Sequence, residues 1–271
     1  MTDTDSLQEW VGRSRTRPDE ITLAPARAML ALLDRDPLEL RKGDPLPEGW
    51  HWLYFKPLAR RSELGPDGHP ARGDFLPPVP LPRRMWAGGR IRFPGRLHIG
   101  EGGERRSRVL SVEEKEGRSG RLIFVTVGHE IGTAGTVVVE EEQDLVYAEA
   151  RSPDDGFGGP PPPGEPAWSE SYTAGPVTLF RFSALTFNAH RIHYDHPYAT
   201  EIEGYPGPVV HGPLLALLLL DAGSRASEGR PIRFTYRAVS PLFSGETFEL
   251  AGRGGDEGSA LELWAAHPDR G

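Results

Sequence analysis

Two stretches decide how this chain reads: Ser183-Ala184-Leu185-Thr186-Phe187-Asn188-Ala189-His190-Arg191-Ile192-His193-Tyr194-Asp195 and, shortly after it, Pro208-Val209-Val210-His211-Gly212-Pro213-Leu214-Leu215. Residues 188–195 place an amide, two imidazoles, a carboxylate, a guanidinium and a phenol in eight positions. The second stretch opens the aliphatic run Leu214 to Leu220. Gly212 just before it and Pro213 just inside it predict a helix from about His211 to Ser224. The unpaired N–H groups at such a helix start favour a carbonyl oxygen that becomes negatively charged.

Working outward, Val177 to Phe182 reads as a strand entering the polar stretch, and Ile232–Val239, Glu246–Arg253 and Leu261–Ala266 as strands after the helix. Gly254, Gly255 and Gly258 mark the last connection. Upstream, Ser152 to Pro166 carries Gly156, Gly158, Gly159 and the prolines 160–163, a linker composition. The domains are therefore expected at 1–150, a linker over 151–174 and a catalytic half at 175–271.

In the first half, Leu7, Trp10 and Val11 suggest a short helix. Thr22 and Pro25 open a better one over 25–34, and strands are expected near 90–93, 105–112, 122–127 and 136–142, with Glu116–Gly120 as a hairpin connection. Residues 45–84 hold nine prolines and read as a long loop that either lines a site or runs over the surface. Its Trp50, Trp52, Tyr54 and Phe55 suit a core better than a ligand platform. Leu97-His98-Ile99-Gly100-Glu101 and Leu242-Phe243-Ser244-Gly245-Glu246 follow comparable strands. This echo predicts an internal duplication, with helix 25–34 matching helix 212–224. Two unrelated halves that share ordinary strand-turn grammar remain the alternative.

Composition narrows the function. A net charge of −8 argues against a nucleic-acid partner, and the absence of cysteine removes disulfides, thiolate metal sites and a Cys nucleophile. No aliphatic run approaches the length of a membrane span, and the N-terminus lacks a signal-peptide pattern, so a cytoplasmic protein is expected.

Residues 188–195 admit three readings: a solvated loop, a metal site built from His190, His193 and His196 with Asp195, or acid–base chemistry. Pro197 and the poor helix formers around it weaken the aligned imidazoles that the metal site needs. For acid–base work, a neutral His can take a proton from water and return it. Asn188 can hold that water or a carbonyl, and Gly212 lets a ligand approach the helix start closely.

Phe182-Ser183, Thr186, Asn188 and Ile192-His193-Tyr194-Asp195, with Val210-His211-Gly212, resemble the hydratase motif of MaoC-like dehydratases. Leu185 to Asp195, Arg83-Arg84-Met85-Trp86-Ala87-Gly88-Gly89 and Lys115 to Gly120 are closer still to the type 2 hydroxyacyl-thioester dehydratase branch, which includes itaconyl-CoA and mesaconyl-CoA hydratases. The resemblance implies an α+β double hot-dog fold, two long helices each wrapped by an antiparallel sheet, with an acyl-CoA or acyl-carrier thioester bound between the halves. It implies reversible hydration of an α,β-unsaturated acyl thioester, with no cofactor and no metal. His193 matches the catalytic His, Gly212 the backbone donor to the thioester carbonyl, and Asn188 stands where the wider MaoC-like family has its catalytic Asp, with His190 and Arg191 in place of its Asn and Pro. Substrate-binding candidates are His190, Arg191, Tyr194, His211, Trp86, Gly88 and Arg233. Arg191, Arg230, Arg233 and Arg237 are candidates for the CoA phosphates. The Trp86–Gly89 segment either shapes the acyl pocket or bends a strand, and Asp195 is expected to hold the loop. The alternatives are a (3R)-hydroxyacyl-thioester dehydratase of fatty-acid type, a hot-dog thioesterase and a non-enzymatic thioester-binding module. Monomer and homodimer are both open.

Overall fold

The computed structural model describes residues 4–117, 120–152, 156–227, 229–254 and 260–271. Gly255 and Gly258 of the last connection, and Arg118 and Ser119 of the expected hairpin, lie outside them.

The first half runs α1 (Thr4–Gln8), β1 (Ser14–Glu20), α2 (Leu23–Leu32), a long irregular segment, then β2 (Arg83–Arg92), β3 (Gly102–Gly117), β4 (Gly120–Thr133) and β5 (Thr136–Ala148). The second runs β6 (Trp168–Thr173), α3 (Pro176–Thr186), α4 (Gly212–Ser227), β7 (Arg233–Arg237), β8 (Thr247–Gly254) and β9 (Leu261–Ala266). The strands form an antiparallel sheet in the order β1-β3-β4-β5-β2-β7 and another in the order β6-β8-β9. Because β7 pairs with β2, from Gly88↔Arg237 to Arg92↔Arg233, the second half extends the sheet of the first.

Period-2 patterning builds the sheet. On β4, Ile123, Val125, Val127 and Ile131 point inward from alternate positions. Ile123, Val125 and Val127 pack with Leu7, Val109 and Tyr147 in one cluster, whereas Ile131 joins the main core, which holds Leu214, Leu217, Leu218 and Leu220 of α4 beside Trp50, Phe55, Phe93, Phe182 and Phe248. Trp50, Tyr54 and Phe55 are therefore core residues, as their clustering suggested.

Two expectations need correction, and one strand was not anticipated. Residues 177–182 are helix, not strand: Pro176 sits at the first position, where its missing N–H costs nothing, and Leu179, Phe182 and Ser183 are buried at helical spacing while Val177 and Phe180 face out. Alternating Val, Leu and Phe imitated a strand there. Strand β1 had no apolar alternation to announce it; it is an edge strand, which tolerates Pro18. Finally, β6 lies inside the stretch 151–174 expected as linker.

The duplication is visible in hydrogen bonds. Gly100 N–H donates to Ile21 O (2.7 Å) just before α2, and Gly245 N–H donates to Ala174 O (3.0 Å) just before α3. Both glycines have φ near +90°, at +95° and +86°. Leu46 N–H donates to Leu97 O and Val210 N–H to Leu242 O, each at 2.8 Å. These matches align α2 with α3, against which it packs, and not with α4 as the sequence suggested. The counterpart of α4 is the 3-10 turn Trp50–Leu53, four residues against sixteen.

Candidate active site

Helix α3 ends where Phe187 adopts left-handed backbone (φ 53°), so that Asn188 N–H folds back onto Ser183 O at 2.8 Å. The chain then makes a tight turn: Asn188 Oδ1 accepts the His190 N–H at 2.9 Å, and a 3-10 turn covers Arg191–His193. The amide oxygen of Asn188 is thus committed to its own loop, which leaves its NH2 as the group it can present.

His193 is buried, and its Nδ1 lies 2.8 Å from Val209 O. A carbonyl only accepts, so Nδ1 carries the proton and Nε2 presents a lone pair. Burial foremost, with the charge of His69, pulls the imidazole down to about 4 against the opposing Val209 bond, so it is neutral at neutral pH. Its ring stacks on His211, with centroids 3.7 Å apart. His211 is fully buried immediately before α4, with Nε2 2.8 Å from Ser183 Oγ, Nδ1 unpartnered, and burial lowering its pKa far below the usual value. The first N–H groups of α4 have no intrahelical acceptor. At Gly212 a Cβ would press on the Trp86 ring at 3.1 Å, so the indole covers the helix start.

The other expected residues divide by what they touch. Arg191 binds Asp195 at 2.8 Å, donates to Pro66 O and stacks over Tyr198, while Asp195 also accepts the Tyr198 N–H. Tyr194 is exposed and donates to Ala189 O. Gly88 is buried in β2 at a register shift, where a Cβ would strike Tyr236 O, so it serves the close β2–β7 approach. The Trp86–Gly89 segment is therefore a bulged strand, with the Trp86 ring against Gly212. Arg233 and Arg237 are exposed on β7, and Arg230 is held by Glu48, Phe93 O and Gly95 O.

The long loop adds residues that sequence reasoning passed over. Asp67 Oδ2 accepts from His69 Nδ1 at 2.9 Å, and its Oδ1 accepts the His69 N–H at 3.0 Å. The His69 ring lies 4.1 Å from that of His190, which meets His193 edge-on at 5.4 Å. Burial and then Arg84 pull His69 down to about 4. Burial raises the Asp67 carboxyl, but the bond and charge of His69 outweigh it and hold the group well below the usual carboxylate range. The pair is a carboxylate accepting from a neutral imidazole. Burial, then His69 and His193, likewise depress His190. Ligand atoms of Asp67, His69 and His190 lie within 4.8 Å of one another, the one such group among the described residues. His193 and His196 of the metal reading are outside it. Arg84, half-buried on β2 and on the same face as Trp86, makes no hydrogen bond or ion pair with any described residue, whereas its neighbour Arg83 binds Glu203 and Tyr205. The signal for these residues was Asp67-Gly68-His69 itself, in a loop long enough to line a site.

A neutral buried imidazole beside a helix start suits acid–base chemistry next to a carbonyl oxygen that gains charge. The chain matches the family hydroxyacyl-thioester dehydratase type 2 over residues 49–244. It is a member of that family. A mesaconyl-C(4)-CoA hydratase of Chloroflexus aurantiacus is 47% identical over 265 residues, spanning 96% of this chain and 92% of the relative. HtdX of Mycobacterium tuberculosis superposes with a TM-score of 0.63 at 21% identity, covering 95% of each chain. A further M. tuberculosis protein, described as having a double hot-dog fold, gives 0.54 at 14% identity over 95% of this chain and 91% of its own. The fold is accordingly a double hot-dog, and this dehydratase-family member is a carbon–oxygen lyase that hydrates or dehydrates acyl thioesters. Among the described residues, no helix is long and apolar enough to cross a membrane.

Proposed function

We propose that the substrate is a short CoA thioester bearing a second carboxylate, of the mesaconyl, itaconyl or citramalyl type. The observation that carries this reading is the 47% identity to a mesaconyl-C(4)-CoA hydratase over nearly the whole chain. His193 Nε2 takes a proton from water as the water oxygen bonds to Cβ. The electron pair of the C=C bond moves to the thioester oxygen, which accepts from the Gly212 N–H, and the proton then returns to Cα. No metal or redox cofactor takes part. Arg84, unpaired among the described residues and close enough to lower His69, supports the carboxylated substrate, because a half-buried guanidinium without a partner suits an anionic group.

The test follows enoyl-thioester absorbance across mesaconyl-, itaconyl-, crotonyl- and long unbranched acyl-CoA. Carboxylated short substrates should turn over fastest. Arg84→Gln should raise KM about tenfold for them, the worth of one charged hydrogen bond, and leave crotonyl-CoA unchanged. Preference for long unbranched chains would instead favour the fatty-acid type of dehydratase, and release of free thiol would mark a thioesterase. We place the enzyme in the cytoplasm and pair it as a homodimer through α3, where exposed Val177 and Phe180 sit three residues apart on one face. Sedimentation checks the assembly.

A further inference from the structure

Asn188 carries an amide and no charge, and its oxygen is already bound to the His190 N–H. The site nevertheless has an ionised group, and it arrives from the other half of the molecule. The loop at 65–70 docks on the 189–191 segment: Asp67 O accepts the Arg191 N–H at 2.9 Å, and Pro66 O accepts from the Arg191 guanidinium. Gly68 sits at the contact with φ +87°, where a Cβ would overlap Ala189 O. Only glycine lets the two segments approach this closely. The docking places His69 against His190, and His190 against His193. Both Asp67 oxygens bind His69, one at the ring and one at the backbone, which fixes the ring and its tautomer: Nδ1–H faces the carboxylate and Nε2 keeps its lone pair.

Resting on the hydratase reading above, we propose that Asp67 and His69 form the second polar arm of the site, with His69 Nε2 holding the attacking water against His193. One hydrogen of the water binds His69 Nε2, and the other passes to His193 Nε2 as the oxygen bonds to Cβ. The water is then held from two sides, and its proton still ends on Cα. Asp67 acts as a positioning residue through His69, in the manner of a carboxylate that orients a catalytic imidazole.

The experiment uses the full chain and whichever enoyl-CoA the wild type turns over fastest. His69→Ala should lower kcat about 100-fold while KM stays within about threefold. The near-isosteric Asp67→Asn should lower kcat about tenfold, with the melting temperature retained. Added imidazole should restore part of the His69→Ala activity. Asn188→Asp in the His69→Ala background should recover about tenfold, because it offers the water a carboxylate in place of the lost imidazole. Folded His69→Ala and Asp67→Asn variants within about threefold of wild-type kcat would overturn the proposal. So would a loss in His69→Ala that neither imidazole nor Asn188→Asp relieves, which marks a structural role. Inactivation of the wild type by a chelator, reversed by zinc, would overturn it in favour of a metal on Asp67, His69 and His190. An inactive wild type on every enoyl-CoA breaks the hydratase reading and this inference with it. An active wild type with an unaffected His69→Ala breaks this inference alone.

Discussion

The two halves share a turn, a helix and a set of cross-connecting hydrogen bonds, yet one builds a sixteen-residue helix where the other makes a four-residue 3-10 turn. Helix α4 fills the core with Leu214, Leu217, Leu218 and Leu220, and its start lies under the Trp86 ring beside His211. The first half fills the same kind of space with aromatic rings, Trp50 and Phe55 among them, and spends the remaining chain on the loop up to β2. Both halves also bury histidine, to different ends. In the second half His193 keeps a free Nε2. In the first, His51 Nε2 is bound to Glu141 at 3.0 Å, and that carboxylate also accepts from Trp52 Nε1 and Gln143 Nε2. A duplicated scaffold has thus become one half that carries His193 and the α4 start and one half that carries Trp86 and the loop.

The sharpest way to break that division is to delete the imidazole on each side. His193→Ala should reduce kcat about 1,000-fold or more, equivalent to roughly 4 kcal/mol in the barrier, with little change in melting temperature. Enoyl-thioester absorbance checks it, and a wild-type rate would remove His193 as the base. His51→Ala should do the reverse. It strips the histidine from Glu141, a group held down to about 2 by partners that overcome its burial, with His51 first among them. Leaving a buried carboxylate short of its partner costs about 3–5 kcal/mol, so denaturant unfolding should report the loss while kcat per folded molecule changes little.

Gly68→Ala comes next, because it attacks the seam between the halves. The added Cβ meets backbone at Ala189, and the φ of +87° is unfavourable for any residue with a side chain. About 1–3 kcal/mol of strain must be relieved by lifting the loop away from Arg191. The expected outcome is a tenfold or greater fall in kcat, larger than the effect of Gly135→Ala, whose φ of +82° faces open space in the β4–β5 turn. Equal effects of the two substitutions would mean that the loop's approach does not matter to turnover.

What the sequence made legible follows the same boundary. The polar stretch, the α4 start and most strands other than β1 and β6 carry local patterns: period-2 apolar alternation, a Gly-Pro opening and a dense run of functional groups. They could be read residue by residue. His193 and Gly212 needed no tertiary information to become candidates. Helix α3 was misread because Val177, Phe180 and Phe182 have β propensity, and only burial against α2 selects the helical period. Asp67 and His69 were passed over for a different reason. They stand more than a hundred residues from His193 in the chain, in a proline-rich segment with no periodicity, and only the docking at Gly68 brings them to it. Nor does the linear sequence reveal that Asn188 spends its oxygen on His190.

The smallest expected effect concerns acid, and it treats the halves alike. His129 in the first half and His193 in the second are both buried, and burial, as the leading cause, brings each down to about 4 from an ordinary 6.5. In the unfolded chain each titrates near 6.5, so above that pH both states are neutral and the full stability is present. As pH falls from 6.5 toward 4 the unfolded state takes up protons that the folded state refuses, and stability is lost. Between pH 7 and 5.5 each imidazole should cost about 1 kcal/mol. His129 Nδ1 lies 2.8 Å from Ser107 Oγ, away from the His193 stack, so His129→Gln should leave kcat unchanged and flatten the pH dependence of the melting temperature by that single increment. An unchanged slope would mean that acid acts only through the second half's row of imidazoles, and that the burial of His129 is relieved before it can titrate.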